Sequence, residues 1–209
     1  RCVPVPILDL GRLLSLPTGE RELRVLFVGR LAPEKNVSLW LEVARRVHSE
    51  RPDVCFDIVG DGPLRPMLEA EARRLGIVDA VTFHGPVPRA SVPSLFRRVS
   101  VLLLTSRHEG FGRVLLEAMA AGVPVVATRT TGAIELLADG AAGCLHGLDD
   151  AEGMAQSVLR LLADPKAAQA MAAHARCLVV PRYDPRLLAL RWMNMLIEAA
   201  DSASPVESR

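Results

Sequence analysis

The residues that could do chemistry gather in glycine-rich polar stretches, each just after a short apolar run. Arg30 and Lys35 lie on one such stretch, Gly29-Arg30-Leu31-Ala32-Pro33-Glu34-Lys35-Asn36. Two cations on one loop can neutralise a diphosphate without a metal ion; the same spacing also suits two solvated loop charges. Gly110 and Gly112 flank Phe111 directly before a helical run. Glycine lets backbone approach a ligand closely, and a helix start offers unpaired N–H groups and the positive end of a dipole. Phosphate suits that arrangement, and so does a plain strand-to-helix turn. Glu109 precedes the same helix and Glu117 lies inside it, eight positions on. Eight helical residues rise ~12 Å, too far for two carboxylates to share a proton, so the pair has two separate jobs. Glu117 sits among Leu115, Leu116, Ala118 and Met119, where a carboxylate needs partners or an outlet to the surface.

Alternating short elements must position these groups. Residues 23–29, 54–60, 80–84, 101–104, 124–127 and 143–145 read as strands. Helical spacing marks 37–50, 64–75, 92–98, 112–121, 133–138, 150–163, 166–178 and 186–200. Continuous apolar strands separated by helices predict a parallel sheet covered on both faces, and right-handed crossovers make it an α/β, doubly wound, Rossmann-like domain. The polar stretches then share one edge, the carboxyl ends of the strands, where open α/β sheets bind ligands. Residues 1–20, with Pro4, Pro6 and Pro17 and little periodicity, read as a linker. Residues 21–183 form the domain, 184–200 a C-terminal helix and 201–209 a disordered tail. The opening Arg-Cys-Val-Pro-Val-Pro reads as a cut edge, since it lacks both an initiator Met and the order of a signal peptide.

Composition narrows the classes. The 209 residues are 50% hydrophobic, enough for a sizeable core, and 25 basic against 24 acidic residues leave a formal charge of +1. A chain so balanced has no electrostatic reason to coat nucleic acid or an anionic membrane. No apolar run reaches the ~18 residues of a membrane span. Cys2, Cys55, Cys144 and Cys177 are widely spaced, without the paired spacing of a zinc site or a disulfide framework. Cys55 and Cys144 lie in apolar runs and are expected to be buried thiols. There is no Asp-x-Asp metal motif; Asp149-Asp150 suits a helix cap.

Five segments, VGRLAPEKN at 28–36, IVGDGPLR at 58–65, FHGPVP at 83–88, EGFGRVLLEAMAAGVPVVAT at 109–128 and GAIELLADGAAGCL at 132–145, resemble the donor-binding domain of family 4 glycosyltransferases. The resemblance runs from about residue 20 to 198. It implies the C-terminal half of a two-domain GT-B enzyme that transfers a sugar, with retention and no metal or other cofactor, from a nucleoside diphosphate sugar. Arg30 and Lys35 then match the basic pair on the donor diphosphate. Glu109 matches the first acid of an E-x7-E motif, beside the transferred sugar. Glu117 matches the second acid, on the ribose hydroxyls. Gly110, Phe111 and Gly112 match the loop near sugar and phosphate, Gly29 the start of the basic loop, and Val87 the residue whose backbone meets the base. Gly60, Asp61 and Gly62 match a turn with a structural role. His108 adjoins Glu109, either lining the site or as an ordinary loop residue. The implied partners are a nucleotide sugar and, through an N-terminal domain, a glycan, lipid or small-molecule acceptor. A cytoplasmic location follows, with any membrane face met by that other domain. A nucleotide-sugar-binding fragment or paralogue without turnover, and a sugar-nucleotide epimerase, are the rival readings.

Overall fold

The computed structural model describes residues 10–16 and 21–202. Its centre is a six-stranded, wholly parallel sheet: β1 (Arg24–Val28), β2 (Cys55–Val59), β3 (Val81–Gly85), β4 (Val101–Leu104), β5 (Val125–Thr128) and β6 (Cys144–His146), in the order β3-β2-β1-β4-β5-β6. The order reverses between β1 and β4, so the two halves wind in opposite directions. Right-handed crossovers therefore place α2 (Val37–Glu50) and α3 (Arg65–Arg74) on one face, and α5 (Arg113–Ala120) and α6 (Thr131–Leu136) on the other. Later helices complete the layers: α7 (Ala151–Ala163) packs on α2, and α8 (Pro165–Tyr183) packs on α5. A short α4 (Val92–Leu95) follows β3, and α9 (Pro185–Ser202) closes the described chain.

Apolar residues dictate this arrangement. β4 and β5 are buried at every position, as expected for central parallel strands. In α2, Val37, Trp40, Leu41, Val43, Ala44 and Val47 recur at helical spacing and are all buried. Trp40 is completely buried, edge-on to Phe27 and Phe56 with ring centroids 6.4 and 6.0 Å away. At the amino edge of the sheet, the Arg21 guanidinium donates to the carbonyls of Val99, Ala121 and Gly122 at 2.8, 3.3 and 2.9 Å. That one side chain ties the entry of β1 to the segments before β4 and β5.

Several expectations need correction. The β2–β3 edge is not covered on both faces. Thr82 and His84 are exposed, and Cys55, one strand pleat from Asp57, is exposed rather than buried. Cys144 is half-buried, because β6 is the other edge strand; Cys55, Cys144 and Cys177 are free thiols. On the exposed face Asp57 is itself buried. It accepts from Arg24 Nη1 at 2.7 Å and pairs with His84 Nε2 at 2.6 Å. In the segment read as a linker, α1 (Leu10–Leu14) packs on α5 and buries Leu10 and Leu13. Five residues are too few to display a helical period. The helix expected over 92–98 stops at Leu95. The one expected over 166–178 runs on to Tyr183, through Pro181, because Val179 and Tyr183 bury themselves against the core. Of the expected tail at 201–209, residues 201 and 202 continue α9 and the rest lies outside the described residues.

Candidate functional site

The loops at the carboxyl edge are joined by backbone hydrogen bonds into one surface. Gly29 N–H donates to the Val59 carbonyl at 3.0 Å, Leu31 N–H to Asp61 at 2.9 Å, and Gly60 N–H to Gly85 at 2.9 Å. These bonds link the turns after β1, β2 and β3. Two glycines make the approach possible. A Cβ on Gly60, whose φ is +135°, would lie 1.8 Å from the Gly29 oxygen, and one on Gly62 would lie 2.3 Å from the Leu31 oxygen. The Gly60-Asp61-Gly62 turn is thus a structural clamp on the loop that carries Arg30.

On the other side, the loop after β4 is held from both flanks. Thr105 Oγ1 donates to the Lys35 and Asn36 carbonyls at 3.1 and 3.0 Å, and Arg107 N–H to Glu34 at 2.8 Å. Gly132 N–H donates to the Glu109 carbonyl at 3.0 Å. A Cβ on Gly132 would come within 3.0 Å of Glu109 and Phe111 backbone. Phe111 packs edge-on against the buried ring of Tyr183, centroids 5.6 Å apart. Gly112 turns the chain into α5 with φ +71°, a left-handed conformation that glycine adopts without strain. Asn36 does the same before α2, at φ +47°, where asparagine is the tolerated alternative.

These supports bring Lys35 and Glu109 together. The Lys35 ammonium forms an ion pair with Glu109 Oε1, and Ser106 Oγ donates to the same oxygen at 3.2 Å. Both members are largely buried, with side chains 19% and 13% exposed, so the pair is screened far less than a surface bridge. Glu117, one turn into α5, is 17% exposed and accepts from Arg89 Nη2 at 3.2 Å. Arg30 is solvent-exposed and makes no ion pair among the described residues. It lines a shallow cleft of about 200 Å³ with Val28, Gly29, Gly60, Asp61 and Val87. Gly110 is exposed and a Cβ there would meet nothing within 4 Å. Neither packing nor backbone conformation demands glycine at 110. His108 is exposed beside it. Arg89 was not singled out in the sequence, because nothing in FHGPVPR places it opposite a residue 28 positions away.

Two other features compete for attention. A larger cavity, about 720 Å³, opens at the amino edge of the sheet between Arg21, Leu23, Pro124, Leu161 and Lys166. It lies at the opposite end of the strands from every polar loop, and Arg21 is already committed to three carbonyls. Asp150, His146 and Ser157 line up at 3.2 and 2.9 Å like a relay. Ser157, however, is 1% exposed and accepts from Arg160 Nη2 at 2.7 Å, while Asp150 caps α7 through Gly153 N–H. This cluster fastens β6 to α7. Among the described residues no group of three or more His, Cys, Asp and Glu side chains is placed to hold a metal ion, and no helix is long and apolar enough to cross a membrane.

The sequence profile of glycosyl transferases group 1 matches residues 15–177. This chain belongs to that family. An alpha-D-kanosaminyltransferase of Streptomyces kanamyceticus is 37% identical over 76% of the chain, and a D-inositol 3-phosphate glycosyltransferase of Thermobispora bispora is 34% identical over 82%. The chain spans 41% and 42% of their lengths. Among solved structures, the Anabaena protein HepE, in complex with UDP, superposes with a TM-score of 0.77 at 27% identity, covering 92% of this chain and 52% of that one. The C-terminal domain of LpcC, a glycosyl transferase group 1 protein of Francisella tularensis, shares the fold, with a TM-score of 0.72 at 24% identity over 88% of this chain and 97% of its own. The fold is thus the Rossmann-like domain of GT-B glycosyltransferases, and Lys35, Glu109 and Glu117 lie on the loop and helix elements at the carboxyl ends of its strands.

Proposed function

We propose that this chain is the donor-binding half of a retaining, metal-independent glycosyltransferase of family 4, one that takes its sugar from a nucleoside diphosphate sugar. The observation that carries the reading is the Lys35–Glu109 ion pair in front of α5, with Glu117 one turn into that helix. A cation, a sugar-side carboxylate and a ribose-side carboxylate then face one ligand in the order diphosphate sugars require. HepE's complexes with UDP and with UDP-glucose support the same ligand class.

Residues 21–183 are the donor domain in this reading, and α9 crosses toward the acceptor-binding domain. Val87 and the cleft beside Gly29 and Gly60 receive the base through backbone groups. Glu117 accepts from the ribose hydroxyls. Arg30, Lys35 and the N–H groups at the start of α5 face the diphosphate, while Glu109 and the bare backbone at 110–112 face the sugar. Cleaving the bond between the anomeric carbon and the phosphate oxygen leaves growing negative charge on the nucleoside diphosphate. Fixed positive groups at that point stabilise the transition state. An acceptor hydroxyl bonds to the anomeric carbon on the face the phosphate leaves, its proton passing to the departing oxygen. The acceptor, whether glycan, lipid or small molecule, is met by the other domain, for which the relatives have the length. The cytoplasm, where nucleotide sugars are made, is the proposed location.

Thermal melting with UDP, GDP or ADP, with and without EDTA, tests this reading. A ligand bound only to the folded state raises its stability by mass action, so one nucleotide should raise Tm selectively and EDTA should leave the shift unchanged. A shift abolished by EDTA would overturn metal independence. No shift in a folded sample would overturn the donor site. Release of nucleoside diphosphate with glycosylated acceptor, rather than an epimerised nucleotide sugar, separates transferase from epimerase, and the absence of either marks a binding module.

A further inference from the structure

We infer that Arg89 is a positioning residue of the nucleotide site: it aims Glu117 so that this carboxylate can read the ribose diol. The inference deepens the donor-site reading and rests on it. Strand order supplies the argument. Arg89 follows β3, the sheet's edge strand, whereas Glu117 belongs to the helix after β4, and both β2 and β1 lie between. The Arg89–Glu117 contact therefore bridges the mouth of the site from one flank to the other.

The bridge rests on fixed supports at both ends. Arg89 opens a single 3-10 turn, Arg89–Ser91, closed by Ser91 N–H donating to the Pro88 carbonyl at 2.8 Å. Arg12 Nη1 of α1 donates to the Ala90 carbonyl at 3.1 Å, and Gly60 N–H holds the Gly85 carbonyl at 2.9 Å. Val87, two residues before Arg89, lines the cleft assigned to the base. Glu117 sits in α5 between buried Leu116 and Ala118 and is itself 17% exposed. The Arg89 guanidinium, 3.2 Å from Oε1, fixes the direction in which that carboxylate points. A carboxylate offers about four lone-pair sites, so the Arg89 contact at Oε1 does not by itself exclude hydroxyl donors at the same group. Arg89 is 47% exposed on its side chain, so removing it need not disturb the core.

Calorimetric titration of the 209-residue chain with UDP, GDP and ADP, and with their 2′-deoxy counterparts, tests the inference. The wild type should prefer the ribonucleotide that binds by about tenfold, the scale of one hydrogen bond to a charged group. Arg89→Ala should weaken that ribonucleotide about three- to tenfold and leave its deoxy form nearly unchanged, so the preference collapses; Arg89→Lys should restore part of it. The ligand-free melting temperature of both variants should match the wild type. If Arg89→Ala weakens both forms equally, or neither, the inference fails while the donor site stands. If the wild type binds no nucleotide, or binds without ribose preference, the reading of Glu117 fails and the inference with it.

Discussion

Lys35 and Glu109 neutralise each other across the mouth of the site, so an incoming diphosphate competes with a carboxylate for the ammonium. Two outcomes follow from that competition. Lys35→Ala should weaken binding of UDP by about 1–3 kcal/mol, the range for a hydrogen bond to a charged group, and should weaken uridine far less. Equal losses in calorimetry would show a folding defect instead. Glu109→Gln removes the competing charge next to the phosphates, so it should tighten diphosphate binding several-fold while lowering sugar transfer; weaker diphosphate binding would place Glu109 among the phosphate ligands. Asp57 poses the opposite case, a charge with no part in the site. It is buried beneath Arg24 and His84, both of which reach solvent. Asp57→Ala strips Arg24 and His84 of their shared partner. It should cost about 1–3 kcal/mol of stability in denaturant titration and leave nucleotide affinity unchanged.

Between elements, glycines set how closely the loops can approach, and that was only partly visible in the sequence. GDG at 60–62 read as a structural turn, and the atoms give the reason: no side chain fits between it and the first loop. Gly132 read only as part of a motif. Its N–H and its empty Cβ position hold the Glu109 carbonyl and the Phe111 backbone in place. Gly132→Ala sets a Cβ 2.9 Å from the Phe111 backbone, so it should displace that loop, lowering nucleotide affinity several-fold and Tm with it. Unaltered affinity would detach the 109–112 loop from the site. The α7 cap adds a pH dependence. The Gly153 N–H, and secondarily His146, lowers the Asp150 pKa below the ordinary aspartate value. A depressed carboxylate contributes stability above its unfolded pKa, about 3.9, and loses it as pH falls through the lowered folded value. Asp150→Asn keeps a capping oxygen without the titration. Its Tm should therefore approach that of the wild type between pH 5 and 3, and parallel curves would remove Asp150 from the acid response.

Across the whole molecule, legibility followed the length and regularity of the pattern. The six strands and the long helices announced themselves through runs of Val, Ile and Leu and through residues such as Trp40 and Val47 at helical spacing. Five-residue α1 carries too little period to see, and the bare face of β2 and β3 depends on which helices stop short, which no local pattern encodes. The Arg89–Glu117 contact was hidden for the same reason: strand order creates it. The length of α9 was legible, but its exposure is a property of the assembled chain. Leu190, Met193, Leu196 and Ile197 are 51–71% exposed on a helix held mainly through buried Leu188. Their spacing of three and four places them on one side, and a contiguous apolar stripe of that kind marks an interaction surface. Alone, this chain should therefore self-associate as its concentration rises. Met193→Lys with Ile197→Glu should keep it monomeric in sedimentation velocity without altering nucleotide affinity. A wild-type chain that stays monomeric at high concentration would show that the stripe is too weak to hold a partner, and the proposed crossover to an acceptor domain would lose its anchor.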